Sequence, residues 1–336
     1  RAQGPEMSPL TPSPPPPPPP PLPGGASPLP GGPVPGEEAY NCGIANTPPP
    51  SGGFFSNVWD RTKHCWENIT GGIGKAFEPC PGRSPFQSDH AFDVFASPVT
   101  NPSYSMDPRA LTEIRPVFMW QRTPSGNPIF AGGDNFFLDF VGSVALSEKW
   151  SITLNRLGLV WTNPQNPNPF LSSHVGLSEL QLGLKWTPIR NDTSNTVGAF
   201  GLVFEIPIGS DSVAQSTGSL SLRPYFSIAQ NFLRSQYGSF NVINTIGYDF
   251  ATDHARSDFL FDSVHLDYEI AKKIYPFVEL NVAYYTRDGN VRPFPFEGFD
   301  RFNFGSTMVS GHTDLNIALG VRYKVNENWQ IGLAGQ

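Results

Sequence analysis

Asp314-Leu-Asn-Ile-Ala-Leu-Gly-Val-Arg-Tyr-Lys-Val325, then Asn-Glu-Asn, then Trp329-Gln-Ile-Gly-Leu-Ala334, is the stretch whose reading decides the fold. Leu315, Ile317, Leu319, Val321, Tyr323 and Val325 fall on one side of an extended chain. Asp314, Asn316, Ala318, Gly320, Arg322 and Lys324 fall on the other. Strict period-two alternation over this length predicts a strand with one apolar and one polar face. A tight polar turn follows, and Trp329 opens the next strand. The whole is a long amphipathic β-hairpin with an aromatic residue beside its turn.

The unit repeats. Leu146-Ser-Glu-Lys-Trp150 has the same plan and continues into Ile152 and Leu154. Ile270-Ala-Lys-Lys-Ile-Tyr-Pro-Phe277 leads into Val278, Leu280, Val282 and Tyr284. Closed round a cylinder, such hairpins put apolar side chains toward lipid, polar ones toward a lumen, and rings at the headgroups.

Further alternating segments extend the pattern between these hairpins. Ile114, Pro116, Phe118 and Trp120 mark strand one. Phe136, Leu138, Phe140, Gly142 and Val144 mark strand two, with Asp139 opposite. Strand three slips phase near Arg156 and Leu157, which predicts a β-bulge. Strand four sets Leu180, Leu182, Leu184 and Trp186 against Glu179, Gln181, Gly183 and Lys185. Strand five has Phe200, Leu202, Phe204 and Ile206, with Glu205 opposite. Strand six has Leu220, Leu222, Phe226 and Ile228, with Arg223 opposite. Strand seven runs Phe240 to Phe250, with Asn244 in its apolar row. Strand eight sets Val264, Leu266, Tyr268 and Ile270 against His265, Asp267 and Glu269. Strand nine turns Glu279 and Asn281 away from its apolar row, and the opening hairpin supplies strands ten and eleven.

Links after even-numbered strands are short or intermediate. Those after odd-numbered strands are longer and polar, such as Gln121 to Asp134, Thr162 to His174 and Thr286 to His312. Short turns on one side and long loops on the other is the outer-membrane arrangement. Strand one then rises from the periplasm, and the preceding segment lies there too. An odd count of eleven strands conflicts with the even numbers of bacterial barrels. The expectation is therefore an antiparallel up-and-down transmembrane β-barrel of about twelve strands, eleven of them in this chain and the twelfth cut off.

Composition agrees with this class. Of 336 residues, 38% are hydrophobic, 13% aromatic and only 15% charged, against about 25% charged in soluble domains. No run of about 18 apolar residues predicts a transmembrane helix. A net charge of −7 argues against nucleic acid as a partner.

Three regions follow. Residues 1–52 are Pro-rich, with a run from Pro14 to Pro21, and read as a disordered or polyproline extension. They serve either as a passive linker or as a contact to the cell wall. Residues 53–101 read as a helical and irregular periplasmic segment. Phe55, Trp59, Trp66, Ile69, Ile73 and Phe77 recur at helical steps, and His90 to Phe95 suits a short extra strand. Residues 110–336 are the barrel. Cys42, Cys65 and Cys80 all precede it; Cys65 and Cys80 can pair in an oxidising compartment, but spacing does not choose among pairings.

The lumen candidates are Arg115, Asp139, Glu179, Gln181, Lys185, Glu205, Arg223, His265, Asp267, Glu269, Glu279, Asp314, Arg322 and Lys324. They read as a salt-bridged interior, a narrow polar conduit, or both. His265 shares its face with Asp267 and Glu269, and Ser263 is near, yet nothing singles out a nucleophile. There is no Gly-rich phosphate loop, zinc spacing or dinucleotide fingerprint, so no cofactor or metal is expected.

With Val325-Asn-Glu-Asn-Trp-Gln-Ile-Gly and Leu146-Ser-Glu-Lys-Trp150 in view, the region from Thr112 to Gln336 resembles a bacterial family. These are outer-membrane transporters of the phenol meta-cleavage pathway type, in the planctomycete-like form with a Pro-rich front end. The resemblance implies a barrel of about twelve strands that takes up small, hydrophobic solutes, and it identifies no binding residue. The expected function is an outer-membrane channel or transporter for small solutes, with outer-membrane lipid as its surroundings. The alternatives are a structural or adhesive envelope protein anchored by the barrel, and a barrel-embedded lipid-modifying enzyme. The rival fold is a soluble β-barrel or sandwich with its apolar face inward.

Overall fold

The computed structural model describes residues 84, 86–299, 301–326 and 328–336. The Pro-rich extension, the expected helix and the three cysteines lie outside the described residues.

One antiparallel sheet of thirteen strand segments accounts for the fold. In chain order these are β1 (Glu113–Arg122), β2 (Gly133–Ala145), β3 (Trp150–Arg156), β4 (Gly158–Pro164), β5 (His174–Leu177), β6 (Leu180–Asn191) and β7 (Thr196–Ile206). There follow β8 (Ser221–Ser235), β9 (Gly238–Ala251), β10 (Asp258–Ile270), β11 (Ile274–Arg287), β12 (Thr313–Lys324) and β13 (Gln330–Gly335). From β6 to β13 each strand pairs with the next in sequence, the up-and-down order. Among the described residues β1 pairs only with β2, and β13 only with β12.

The eleven expected strands become thirteen segments because two are broken. β3 and β4 are one pass of chain interrupted at Leu157, and both pair with β2. The register against β6 shifts between Leu154 and Arg156, and the Phe140 N–H donates to the Leu157 carbonyl at 2.8 Å. Gly158 is required here, since a Cβ would lie 2.0 Å from the Leu138 carbonyl oxygen. The neighbouring pass breaks at Ser178-Glu179 into β5 and β6. His174 therefore opens a strand rather than sitting in a loop. The bulge lies where the sequence phase slips.

The turns follow the repeated plan. In Leu146–Trp150 the Leu146 N–H donates to the Trp150 carbonyl at 2.8 Å, and Val325 does the same to Trp329 at 2.8 Å. Ser147 Oγ accepts from the N–H groups of Lys149 and Trp150 at 3.2 and 3.1 Å. Asn326 Oδ1 accepts from those of Asn328 and Trp329, both at 2.9 Å. Two unlike side chains thus build one turn by taking two backbone donors each. At the other end the links are long, the longest between Arg287 and Thr313.

The apolar rows face outward. Ile114 is 72% exposed, Leu315 63% and Leu333 74%. Leu180 and Leu182 are half-buried on the same outer face. Trp150, Trp186, Phe200 and Phe226 run ring to ring across four neighbouring strands of that face. The charged rows are buried: Glu179 is 1% exposed and Arg223 1%. This is the reverse of the inward-facing soluble barrel. No helix of the described residues is long and apolar enough to cross a membrane.

The segment before β1 departs from expectation. His90–Phe92 is a single 3-10 turn, not a strand, because the Asp89 side chain caps the Ala91 N–H. Residues 93–112 then run along the inner face of the sheet rather than outside it.

Candidate functional site

Residues 93–112 form a loop that enters from the short-turn end, turns near Tyr104, and returns to β1. Strands all along the sheet reach it. Arg115 of β1 and Arg322 of β12 both donate to the Pro98 carbonyl, at 3.0 and 3.2 Å. Asn155 of β3 donates to the Pro102 carbonyl at 3.1 Å. Lys185 of β6 reaches the carbonyls of Asp107 and Arg109 at 2.7 and 2.5 Å. Arg223 of β8 donates to Ser103 at 2.9 Å, and Asn241 of β9 to Val94 at 3.1 Å. Glu279 of β11 accepts from the N–H groups of Val99 and Thr100 at 2.7 and 2.8 Å. A sheet can offer all these strands to one loop only by bending around it.

The loop also holds itself together. Arg109, 3% exposed, donates to the carbonyls of Phe92 and Phe95 and to Ser97 Oγ. It pairs with Asp107 at 2.6 Å. Burial pushes the Asp107 carboxyl up, but the charge and hydrogen bonds of Arg109, helped by Lys185, hold it well below the usual carboxylate range. The tip is apolar: Tyr104 and Met106 pack with Phe259, Phe261, Ala283 and Tyr285.

Every lumen candidate from the sequence lies on this inner face, in three groups. Toward the long loops, Arg223 bonds Glu205 at 2.7 Å and also Asp249. Arg256 bonds Glu205 at 2.8 Å and Glu179 at 3.5 Å, with Gln181 beside Arg223. Arg156 and Arg301 flank Asp139 at 3.6 and 3.7 Å. Asp314 is half-buried on the same face of β12.

Midway, His265 stands between Glu279 at 2.7 Å and Asp267 at 3.1 Å. Both ring nitrogens thus face a carboxylate oxygen. Asn241 caps Asp267, and Ser239 donates to Glu269. Phe277 packs on the ring at 5.2 Å. The hydroxyl of Ser263 bonds Asn281 rather than His265, so no nucleophile is paired with a base here. The third group is cationic: Lys185, Arg115, Arg322 and Lys324, all turned to loop carbonyls.

Sequence reasoning missed Asp249, Arg156, Arg256, Arg301 and the loop pair Asp107–Arg109. For the loop a signal existed. From Asn101 to Ala110 polar residues hold the odd positions and Pro102, Tyr104, Met106, Pro108 and Ala110 the even ones.

At the long-loop end, side chains fold over the interior. Phe130, Phe137, Leu171, Phe294, Phe302 and Phe304 form one buried apolar cluster. Among the described residues no group of histidines, cysteines or carboxylates has the geometry of a metal site.

No protein-family model matches the chain, and no curated protein matches it.

Proposed function

We propose that the chain is an outer-membrane β-barrel channel for small solutes, closed by its own 93–112 loop. The observation that carries the membrane part is the sidedness of the sheet. Its outer surface is a continuous apolar band with rings near the turns, while its charges are buried. Water would penalise that arrangement, and hydrocarbon favours it. The loop-length asymmetry supports periplasmic short turns and external long loops. Sharing of one carbonyl by β1 and β12 supports a sheet curled toward a cylinder.

The channel part rests on how the interior is filled. The loop meets the sheet mainly through hydrogen bonds and cation–carbonyl contacts, which water can replace at little net cost. The resemblance to phenol meta-pathway transporters points the same way. The anchor reading has one observation in its favour: aromatic side chains seal the outer end.

Two measurements test the proposal. A membrane barrel migrates differently in detergent gels before and after heating, and a soluble protein does not. In a planar bilayer, discrete conductance steps support a channel. Heat-modifiable migration with electrical silence leaves the anchor.

A further inference from the structure

The charges on the inner face are not neutralised alike. Six of the acidic side chains find basic partners within the sheet and its long loops, while Glu269 has only the Ser239 hydroxyl and Asp314 has no cation within salt-bridge distance among the described residues. Glu205 and Asp249 have Arg223, Glu179 has Arg256, Asp139 has Arg156 and Arg301, and Asp267 and Glu279 share His265. If the 93–112 loop left, these pairs would stay.

The cations of β6 and β12 differ. Among the described residues Lys185 donates to the carbonyls of Asp107 and Arg109 alone. Lys324 donates to those of Asp93 and Phe95 at 2.5 and 3.1 Å. Arg322 donates to Pro98 and to Gln330 Oε1 at 3.3 Å. Among the described residues no carboxylate lies within salt-bridge distance of these three. The Asp93 carboxylate turns instead to His90 at 3.0 Å. Arg115 completes the strip, partly offset by Glu113 at 3.4 Å. The Arg322 Nε is buried with no hydrogen-bond acceptor among the described residues, whereas the Arg115 Nε is the atom that faces Glu113.

Buried cations held by neutral oxygens alone are expensive. The loop supplies carbonyl dipoles where a full negative charge would bind better. A cavity of about 30 Å³ already lies against the strip, lined by Arg115 and Lys185, by Glu113 of the same strand as Arg115, and by Asp107 of the loop. That is room for about one water.

We infer that Lys185, Arg322 and Lys324, with Arg115, form an anion-binding strip for the transported solute. Loop carbonyls occupy it in the closed state, and a small carboxylate or inorganic anion takes their place when the loop withdraws. This rests on the channel reading and names its solute class. Positive charge is exposed locally along the strip on opening, so the open pore selects anions there although strand acids outnumber strand bases on the inner face.

The test is the reversal potential of the full chain in a planar bilayer under a steep KCl gradient, repeated with potassium acetate. The expected result is a potential displaced toward the anion's equilibrium value in both salts. It falls toward zero in the combined Lys185→Gln, Arg322→Gln, Lys324→Gln variant. Lys324→Gln alone, at a half-buried site beside a turn, gives a partial shift should the combined variant not fold. Cation selectivity, or a potential that none of these changes moves, overturns the inference and leaves the channel standing. Absence of conductance overturns both.

Discussion

Replacing Arg109 by leucine tests whether residues 93–112 are a removable closure. The guanidinium bonds both oxygens of Asp107, with its shortest contact at 2.6 Å, and ties two carbonyls and Ser97 to the returning limb. In Arg109→Leu the Asp107 carboxylate stays buried with one backbone donor, the residue 109 N–H at 2.9 Å. Removing one partner of a buried ion pair costs about 3–5 kcal/mol. That cost falls on the docked loop alone, because an undocked Asp107 meets water. Even about 3 kcal/mol moves the docked-to-undocked ratio roughly a hundredfold. Hydrogen exchange of the amides between residues 93 and 110 should accelerate by about that factor, and opening events in a bilayer should rise with it. Heat-modifiable migration of the sheet should stay as in the parent. Adding Asp107→Asn removes the stranded charge and should recover most of the protection. Unchanged exchange in Arg109→Leu, or a double variant no better than the single, would refute the reasoning.

Ile317→Lys puts a charge in the outward apolar row of β12, where it should cost about 2–4 kcal/mol of stability in a bilayer; urea titration in liposomes measures it, and no cost means that the row does not face lipid. The Asp107 carboxyl is held below its ordinary range, so its contribution to docking is complete above about pH 4 and is lost only as pH falls through the lower folded value. Loop amides should therefore stay protected from neutral pH down to about pH 4 and lose protection only in stronger acid, as exchange at stepped pH would record. Asn326→Ala deprives two turn N–H groups of their acceptor and should cost about 0.5–2 kcal/mol by analogy with lost caps, with Ser147→Ala matching it in urea titration. Phe294→Ala should cost about 3–5 kcal/mol in the outer aromatic cluster without accelerating exchange of residues 93–110.

The outer face was legible because its code is simple. Period two assigns each side chain a side, and one phase slip at Arg156 and Leu157 located the break near β3. The same code carried the inner candidates from Arg115 to Lys324. It failed where period two is absent or blurred. Asp249 was passed over because Asn244, bonded to Asp262 at 2.6 Å, breaks the outward row of β9. Arg256 and Arg301 sit in loops, which carry no period. Residues 101–110 do alternate, but Pro102 and Pro108 cannot donate to a ladder, and the apolar members are not lipid-sized throughout. Such a chain resembles neither strand nor ordinary linker until a curved sheet is present to receive it. What fills a cylinder depends on contacts between distant parts of the chain, and local pattern does not encode those.

The two ends of the interior are closed by different chemistry, and this bears on which one would open first in the proposed channel. At the long-loop end, closure is apolar: Phe130, Phe294, Phe302 and Phe304 pack ring on ring. Parting them exposes buried apolar surface at roughly 25 cal/mol per Å². At the short-turn end, closure is largely polar, and water can take over each carbonyl and amide. The Tyr104–Met106 tip is the exception, so undocking is resisted chiefly there, while the Arg109 bonds keep the two limbs of the segment in the shape that docks. Arg301 joins the two ends, donating to the Thr100 carbonyl at 2.8 Å while its guanidinium lies 5.9 Å from the Phe137 ring. Withdrawal of the loop therefore removes an acceptor from a side chain that supports the aromatic cluster. In the proposed channel the cheaper motion therefore comes first at the short-turn end, and the seal at the long-loop end loosens as its consequence.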